Sequence, residues 1–168
     1  TMALVPMLGV DLIPQLAQDR FELTVKLPPG TQLRDTDALL RAHPDDVRKV
    51  LAASDIERSR EDGRIGLIYG FQNGTMLGTD ATRVDLFANL GVRVFQLTYN
   101  PANALGDGSM APENRGLTPF GREVIARINA ARCMVDLSHS GEQACLEAAV
   151  ASTAPISTSL PRYITATC

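Results

Sequence analysis

Short apolar runs alternate along the chain with stretches whose apolar residues recur at helical spacing. The apolar runs predict strands at residues 21–27, 65–71, 92–98 and 133–137, with a weak strand at 155–159. Residues 47–52 fit either a strand or a short helix. Helical spacing and capping residues predict helices at residues 35–42, 54–63, 80–90 and 141–152, and a further helix that begins at Thr118.

This repeat of strand and helix indicates the fold class. A strand followed by a helix, repeated at least three times, implies parallel strands joined by right-handed crossovers. Both an open doubly wound sheet and part of a TIM-like (β/α)8 barrel fit this α/β pattern. No Gly-x-Gly-x-x-Gly follows any predicted strand, so a dinucleotide site is not expected.

The segment 132–142 places a histidine on the turn between a predicted strand and a predicted helix. Ser140 has Gln143 three residues after it and fits a capping box, which predicts a helix start at Gly141. His139 then follows the carboxyl end of a strand, where ligands and catalytic groups gather in parallel α/β folds. Imidazole is a frequent metal ligand and general base, although a histidine here can also simply hydrogen-bond its own turn.

Other polar residues also follow predicted strand ends. Gln72 and Asn73 end one strand, and Tyr99 and Asn100 end the next. Each pair is expected either to bind substrate amides or to satisfy the backbone of its own turn. Asp136 is expected to be a buried carboxylate bonded to backbone amides rather than a ligand.

Residues 100–116 form a predicted loop that is longer than most connections between secondary-structure elements. Such loops are usually functional or disordered. Asp107 and Glu113 lie on it and are expected to be solvated rather than catalytic. Elsewhere, His43 is expected at the surface and Cys133 in the core.

Composition narrows the class of protein. The 168 residues carry a net charge of −3 with acids and bases interspersed, which argues against a nucleic-acid or anionic-membrane surface. No apolar run approaches the roughly 18 residues that span a bilayer, so membrane insertion is not expected. Residues 2–12 are apolar without a basic start and make a poor signal peptide. Three cysteines without a Cys-x-x-Cys pair predict reduced thiols and a cytoplasmic protein.

Four segments together resemble one protein family. They are EDGRIGLIYGFQN at 61–73, LGVRVFQLTYN at 90–100, GLTPFGREV at 116–124 and VDLSH at 135–139. In this order and spacing they resemble the membrane (renal) dipeptidase family of zinc peptidases, peptidase family M19, over about residues 47–155. The resemblance implies a (β/α)8 barrel with a two-zinc site at the carboxyl ends of its strands, and hydrolysis of dipeptides.

The resemblance also assigns individual positions. His139 falls on a zinc-ligand position, and the loop 100–116 falls where the family lines its substrate cleft. Three positions depart from the family. Gln72 replaces the bridging glutamate, Tyr99 replaces a substrate-contacting histidine, and a residue at about Leu160 replaces a further ligand histidine. The family's opening His-x-Asp motif is absent. No catalytic residue is therefore assigned, and zinc is expected only by resemblance.

These departures give the overall prediction. The chain is expected to comprise an atypical segment 1–42, a dipeptidase-like half-barrel 43–156 and a divergent tail 157–168. About 200 to 250 residues is the usual size of such a barrel, so an incomplete or inactive dipeptidase is predicted. The alternatives are a metal-free half-barrel that binds a peptide or small ligand, and a non-functional fragment. In each case unpaired sheet edges predict a homo-oligomer.

Overall fold

The computed structural model describes residues 33–153 and 164–165. The chain divides into two compact units, Thr1–Asp37 and Ala38–Cys168. Five α-helices are described: α1 (Leu33–Ala42), α2 (Ala53–Glu61), α3 (Arg83–Asn89), α4 (Pro119–Ala130) and α5 (Glu142–Thr153). Six strands are described: β1 (Val47–Lys49), β2 (Ile65–Leu67), β3 (Tyr69–Phe71), β4 (Val92–Gln96), β5 (Met134–Asp136) and β6 (Ile164–Thr165). Among the described helices, none combines the length and apolar character needed to cross a membrane.

Every strand pair among the described residues is parallel, and within each sheet the strands are neighbours in chain order. One sheet pairs β1 with β2, and the other has the order β3-β4-β5-β6. A doubly wound sheet would reverse its strand order at a switch point, whereas a barrel adds strands in sequence. The sequential order therefore confirms the predicted α/β fold of a partial (β/α)8 barrel. The predicted strands at 21–27 and 155–159 lie outside the described residues.

One face of the larger sheet packs against the helices and forms the core. Phe71, Phe95 and Val135 are in register across β3, β4 and β5, and the ring centroids of Phe71 and Phe95 lie 5.8 Å apart. Helix α4 covers this face with a stripe that is wholly buried, as its spacing predicts: Val124, Ile125 and Ile128.

The opposite face of the sheet is open among the described residues. The apolar run 65–71 predicts a single buried strand, but the structure has two short strands, β2 and β3, separated at Ile68, which is 45% exposed. Alternation along a strand sends every second side chain to the other face. Gly70, Val94 and Met134 are in register on that face and are not fully buried. The prediction of a buried strand was wrong because helices cover only one of its faces.

The helix starts show which capping signals were read correctly. Thr118 is the N-cap of α4, and its hydroxyl accepts from the Gly121 N–H at 2.9 Å, with Pro119 at the first helical position. The sequence predicts Ser54 as the N-cap of α2 through a capping box with Glu57, and this prediction was wrong. The N-cap of α2 is Ala52, and the carboxylate of Asp55 accepts the N–H of that residue at 2.9 Å.

The capping box predicted for α5 was also wrong. The Ser140 hydroxyl bonds the hydroxyl of Thr98 at 2.9 Å rather than the helix backbone. The N–H of Gln143 instead donates to Asn114 Oδ1 at 3.0 Å. The cap of α5 thus comes from the long loop, 29 residues earlier in the chain.

Cys133 lies in the core, as predicted. It is 8% exposed, and its thiol donates to the Val92 carbonyl at 3.4 Å. Burial raises the pKa of the Cys133 thiol. A protonated, buried thiol agrees with the predicted reduced state, while the cytoplasmic location stays a prediction.

Candidate functional site

Three strand ends meet along one rim of the larger sheet. Gln72 follows β3, Tyr99 and Asn100 come shortly after β4, and His139 comes shortly after β5. Because the three strands are parallel neighbours, their carboxyl ends lie on the same edge. In barrels of this kind, that edge carries the chemistry.

His139 is held at this rim by contacts from the β4 side. Its Nδ1 lies 2.9 Å from Asn100 Oδ1, and its ring centroid lies 4.4 Å from that of Tyr99, with the ring planes tilted by 34°. Its backbone carbonyl accepts from the Ser109 N–H at 2.8 Å. The residue has a φ of 63°, a left-handed conformation that is uncommon outside glycine. Sequence reasoning placed His139 correctly on the turn, and the structure adds the partners that orient it.

The predicted pair Gln72 and Asn73 separates into two different environments. Asn73 supports the fold, because its Oδ1 accepts from Thr75 N at 3.2 Å and from Asn103 Nδ2 at 3.0 Å. Gln72 is exposed, and its side chain has no hydrogen bond to another residue that the structure describes. Gln72 is thus the member of this pair whose amide faces solvent.

The long loop is ordered around an asparagine that sequence reasoning missed. Asn103 Nδ2 donates to the Leu97 carbonyl at 2.8 Å, and its Oδ1 accepts from Leu105 N at 2.8 Å. The loop then closes through a backbone bridge between Gly106 and Leu117. Its density of Asn, Asp and Gly was the available signal, because these residues stabilise turns through their own side chains or backbone freedom.

Asp107 is buried in this loop, so the prediction that it is solvated was wrong. The residue is 3% exposed, and its carboxylate accepts from the Arg115 N–H at 2.7 Å and from the Arg115 guanidinium at 3.3 Å. These bonds, with the backbone N–H first, lower the pKa of Asp107. Glu113, in contrast, has a side chain that is 72% exposed, as predicted. The loop folds back at Arg115, and this part of the loop covers the Asp107 side chain.

We expect Asp107→Asn to remove an acid-sensitive part of the stability. A carboxylate whose pKa is lowered by folding stabilises the protein above its unfolded pKa of about 3.9, and that stability is lost as the pH falls through the folded value. The wild type should therefore be more stable than Asp107→Asn near neutral pH, and the difference should shrink below about pH 4. Urea unfolding at several pH values measures this difference.

Glu113→Gln is the matched control for that measurement. It removes a carboxylate from the same loop, 3.5 Å from the same Arg115, but from an exposed position. Exposed ion pairs contribute little to stability. Equal pH profiles for the two variants would show that the Asp107 contacts do not stabilise the loop.

Glu147 fastens the end of the loop to helix α5. Its carboxylate accepts from the Leu117 N–H at 3.1 Å and from Gln143 Nε2 at 3.0 Å, and it pairs with the guanidinium of Arg122. The Gln143 amide, the Leu117 N–H and Arg122 together lower the pKa of Glu147. The loop is therefore anchored at both ends, next to β4 and next to α5.

The donors at the rim do not amount to a complete metal site. Within residues 33–153 and 164–165, no group of three or more His, Cys, Asp or Glu side chains is placed to hold a metal ion. Asp136 is half-buried and accepts from the Ser138 N–H at 2.8 Å, which is the expected backbone role. His43 precedes β1, and its side chain is 53% exposed, as predicted. At the rim, His139 supplies one imidazole, and the side chains that contact it are neutral. This set of donors does not fit a site for two dications.

Comparison with known proteins gives a consistent picture of relatedness. The profile of the family described as membrane dipeptidase (peptidase family M19) matches residues 13–167. Dipeptidase tcpJ of Claviceps purpurea is 30% identical over 120 residues, which cover 70% of this chain and 28% of that protein. An uncharacterized Klebsiella pneumoniae protein, encoded in the pqqA 5' region, is 29% identical over 66% of this chain and 43% of its own length. The chain thus spans less than half of these curated relatives.

Solved structures agree with the fold. An amidohydrolase from Pseudomonas aeruginosa matches with a TM-score of 0.68 and 35% identity, over 74% of this chain and 38% of that one. A metallo peptidase from Rhodobacter sphaeroides, liganded with a phosphinate mimic of the dipeptide L-Ala-D-Ala, matches with a TM-score of 0.65 and 25% identity. That match covers 73% of this chain and 36% of the other.

Proposed function

Because the chain belongs to the membrane dipeptidase family, peptidase family M19, we propose that it carries part of the rim of a zinc-dependent dipeptidase. In this proposal His139 is one zinc donor. The chain itself holds zinc weakly and does not turn over dipeptides. The observation that carries the proposal is the donor set: one imidazole, with no three-ligand cluster in the described part of the chain.

Electrostatics supports weak metal binding at this rim. Catalytic zinc sites in proteins use three protein ligands, and carboxylates offset the charge of a dication. The His139 ring contacts the side chains of Tyr99 and Asn100, which are neutral. Gln72 offers a neutral amide where the resemblance implies a bridging glutamate. A neutral amide oxygen can touch a metal but brings no negative charge.

A dipeptide is the proposed ligand class. The Rhodobacter sphaeroides structure, which shares this fold, is liganded with a mimic of L-Ala-D-Ala. On this chain, the exposed Gln72 amide and the Tyr99 side chain are the rim groups available to contact peptide amides. Asn73 and Asn100 stabilise the loop and the His139 ring instead of contacting the ligand, because their side-chain oxygens already accept hydrogen bonds within the protein.

Hydrolysis of L-Ala-D-Ala with zinc in excess tests this proposal. We expect turnover by the full chain to be no higher than turnover by His139→Ala, because a single imidazole cannot close the site. His43→Ala is the control, since it removes the other, exposed histidine of the chain. Turnover that is abolished by His139→Ala and retained in His43→Ala would contradict the inactive state.

One observation favours a second candidate, a metal-free half-barrel that self-associates. The sheet face opposite the helices carries Gly70 and Val94, which are not fully buried, and Ile68, the residue before β3, is 45% exposed. Exposed apolar surface on a sheet is a common site of association.

Under this alternative, Ile68→Lys lowers the mass measured by light scattering. Leu86→Lys, which changes an exposed leucine on α3, leaves the mass unchanged. A wild-type monomer would exclude the alternative.

A further inference from the structure

We propose that Asn100 is a positioning residue that fixes the tautomer of His139. Asn100 Oδ1 lies 2.9 Å from His139 Nδ1. An amide oxygen can only accept a hydrogen bond, so the ring nitrogen that faces it carries the proton. The neutral ring then keeps its lone pair on Nε2, which has no hydrogen-bond partner in the part of the chain that the structure describes.

Asn100 has two further contacts with the long loop. The hydroxyl of Ser109 lies 3.5 Å from the same Oδ1, at the long limit of a hydrogen bond. The Asn100 backbone carbonyl accepts from the Met110 N–H at 2.9 Å. Asn100 is therefore held by its backbone, and its side-chain oxygen faces the imidazole at 2.9 Å.

The ring of His139 is restrained on further sides. The Tyr99 ring lies against it with a centroid distance of 4.4 Å. The Ser109 N–H and the Thr98 hydroxyl both donate to the His139 carbonyl, at 2.8 and 3.3 Å. These bonds hold the backbone at φ 63°, a left-handed conformation that is unfavourable for a residue with a side chain. Position, ring plane and tautomer are thus set before any ligand arrives.

The tautomer decides which nitrogen can serve as a donor. A neutral imidazole binds a cation through its unprotonated nitrogen, and the hydrogen bond at the other nitrogen selects which one that is. Asn100 therefore assigns the donor role to Nε2. The use of that lone pair toward zinc rests on the proposed function, whereas the tautomer itself does not.

Nitrogen NMR of the full chain tests the assignment. The sequence contains two histidines, so ¹⁵N-histidine labelling gives two ring systems, and His43→Ala identifies that of His139. Spectra are recorded at about pH 8.5, roughly two units above the ordinary histidine pKa of about 6.5. We expect a protonated Nδ1 and an unprotonated Nε2 at His139. Asn100→Leu should shift the ring toward the Nε2–H form that dominates in free histidine. Asn100→Asp, which keeps an acceptor oxygen, should preserve the Nδ1–H form.

An Nε2–H ring in the wild type, or an unchanged ring in folded Asn100→Leu, would overturn the proposal. If Asn100→Leu does not fold, the wild type and Asn100→Asp still decide it, because both must show Nδ1–H. The spectra contain no added zinc and no dipeptide. Their outcome is therefore independent of whether the chain binds metal or hydrolyses peptides.

Discussion

Gly108→Ala is expected to lower the free energy of unfolding by at least about 3 kcal/mol and Tm by roughly 10 °C. A Cβ at this position would lie under 3.0 Å from three backbone carbonyl oxygens: those of Tyr99, Asn100 and Pro101. Backbone cannot move away as a flexible side chain can. The loop would therefore have to move and would lose the backbone bridge between Gly108 and Ser140, next to His139. Thermal and urea unfolding measure the loss.

Gly63→Ala is the matched control for this prediction. Gly63 has a φ of +70°, so alanine there is strained, but no atom lies within 4 Å of the added Cβ. The backbone strain alone costs about 1 to 2 kcal/mol. An equal loss of stability in the two variants would mean that the close approach at Gly108 does not restrain the loop.

Gln72→Glu is expected to raise the affinity of the chain for zinc by about a hundredfold, or ~2.8 kcal/mol. The substitution places a carboxylate on the rim that carries His139, at the position where related dipeptidases are expected to have a bridging glutamate. Gln72 is exposed and has no hydrogen bond to other described residues, so the change should not disturb the fold. Calorimetric titration with zinc measures the affinity.

Asn89→Asp makes the same change of charge at the other end of the fold. Asn89 is exposed at the last residue of α3, before β4 begins. A general effect of net charge on zinc binding would appear in both variants. If Asn89→Asp raised the affinity as much as Gln72→Glu, the rim would not be the place where zinc binds.

Local sequence signals predicted those elements whose causes are local. Thr118 and Pro119 satisfy the first turn of α4 with their own side chain and ring, so the start of that helix could be read directly. The position of His139 followed in the same way, from an apolar run that ends and a helix that begins. The repeat of strand and helix was sufficient for the fold class, because parallel strands require long crossovers.

Contacts between distant residues explain the failures. Asn114 caps α5 from 29 residues away, and Asp107 is buried because Arg115 returns to it. Neither pairing leaves a periodic signal in the sequence. The prediction of a buried strand at 65–71 failed for a different reason. A run of apolar residues has the same sequence pattern whether one face of the strand is covered or both faces are. Burial there depends on the neighbours of the sheet and not on the strand itself.

The zinc-to-protein ratio of the full chain, after dialysis against low micromolar zinc, distinguishes weak from stable zinc binding at the rim that carries His139. Elemental analysis of the wild type should give a ratio well below one, with only a small further loss in His139→Ala, because one imidazole among neutral side chains holds a dication poorly. A ratio near one that falls to the background level in His139→Ala but not in His43→Ala would contradict the account.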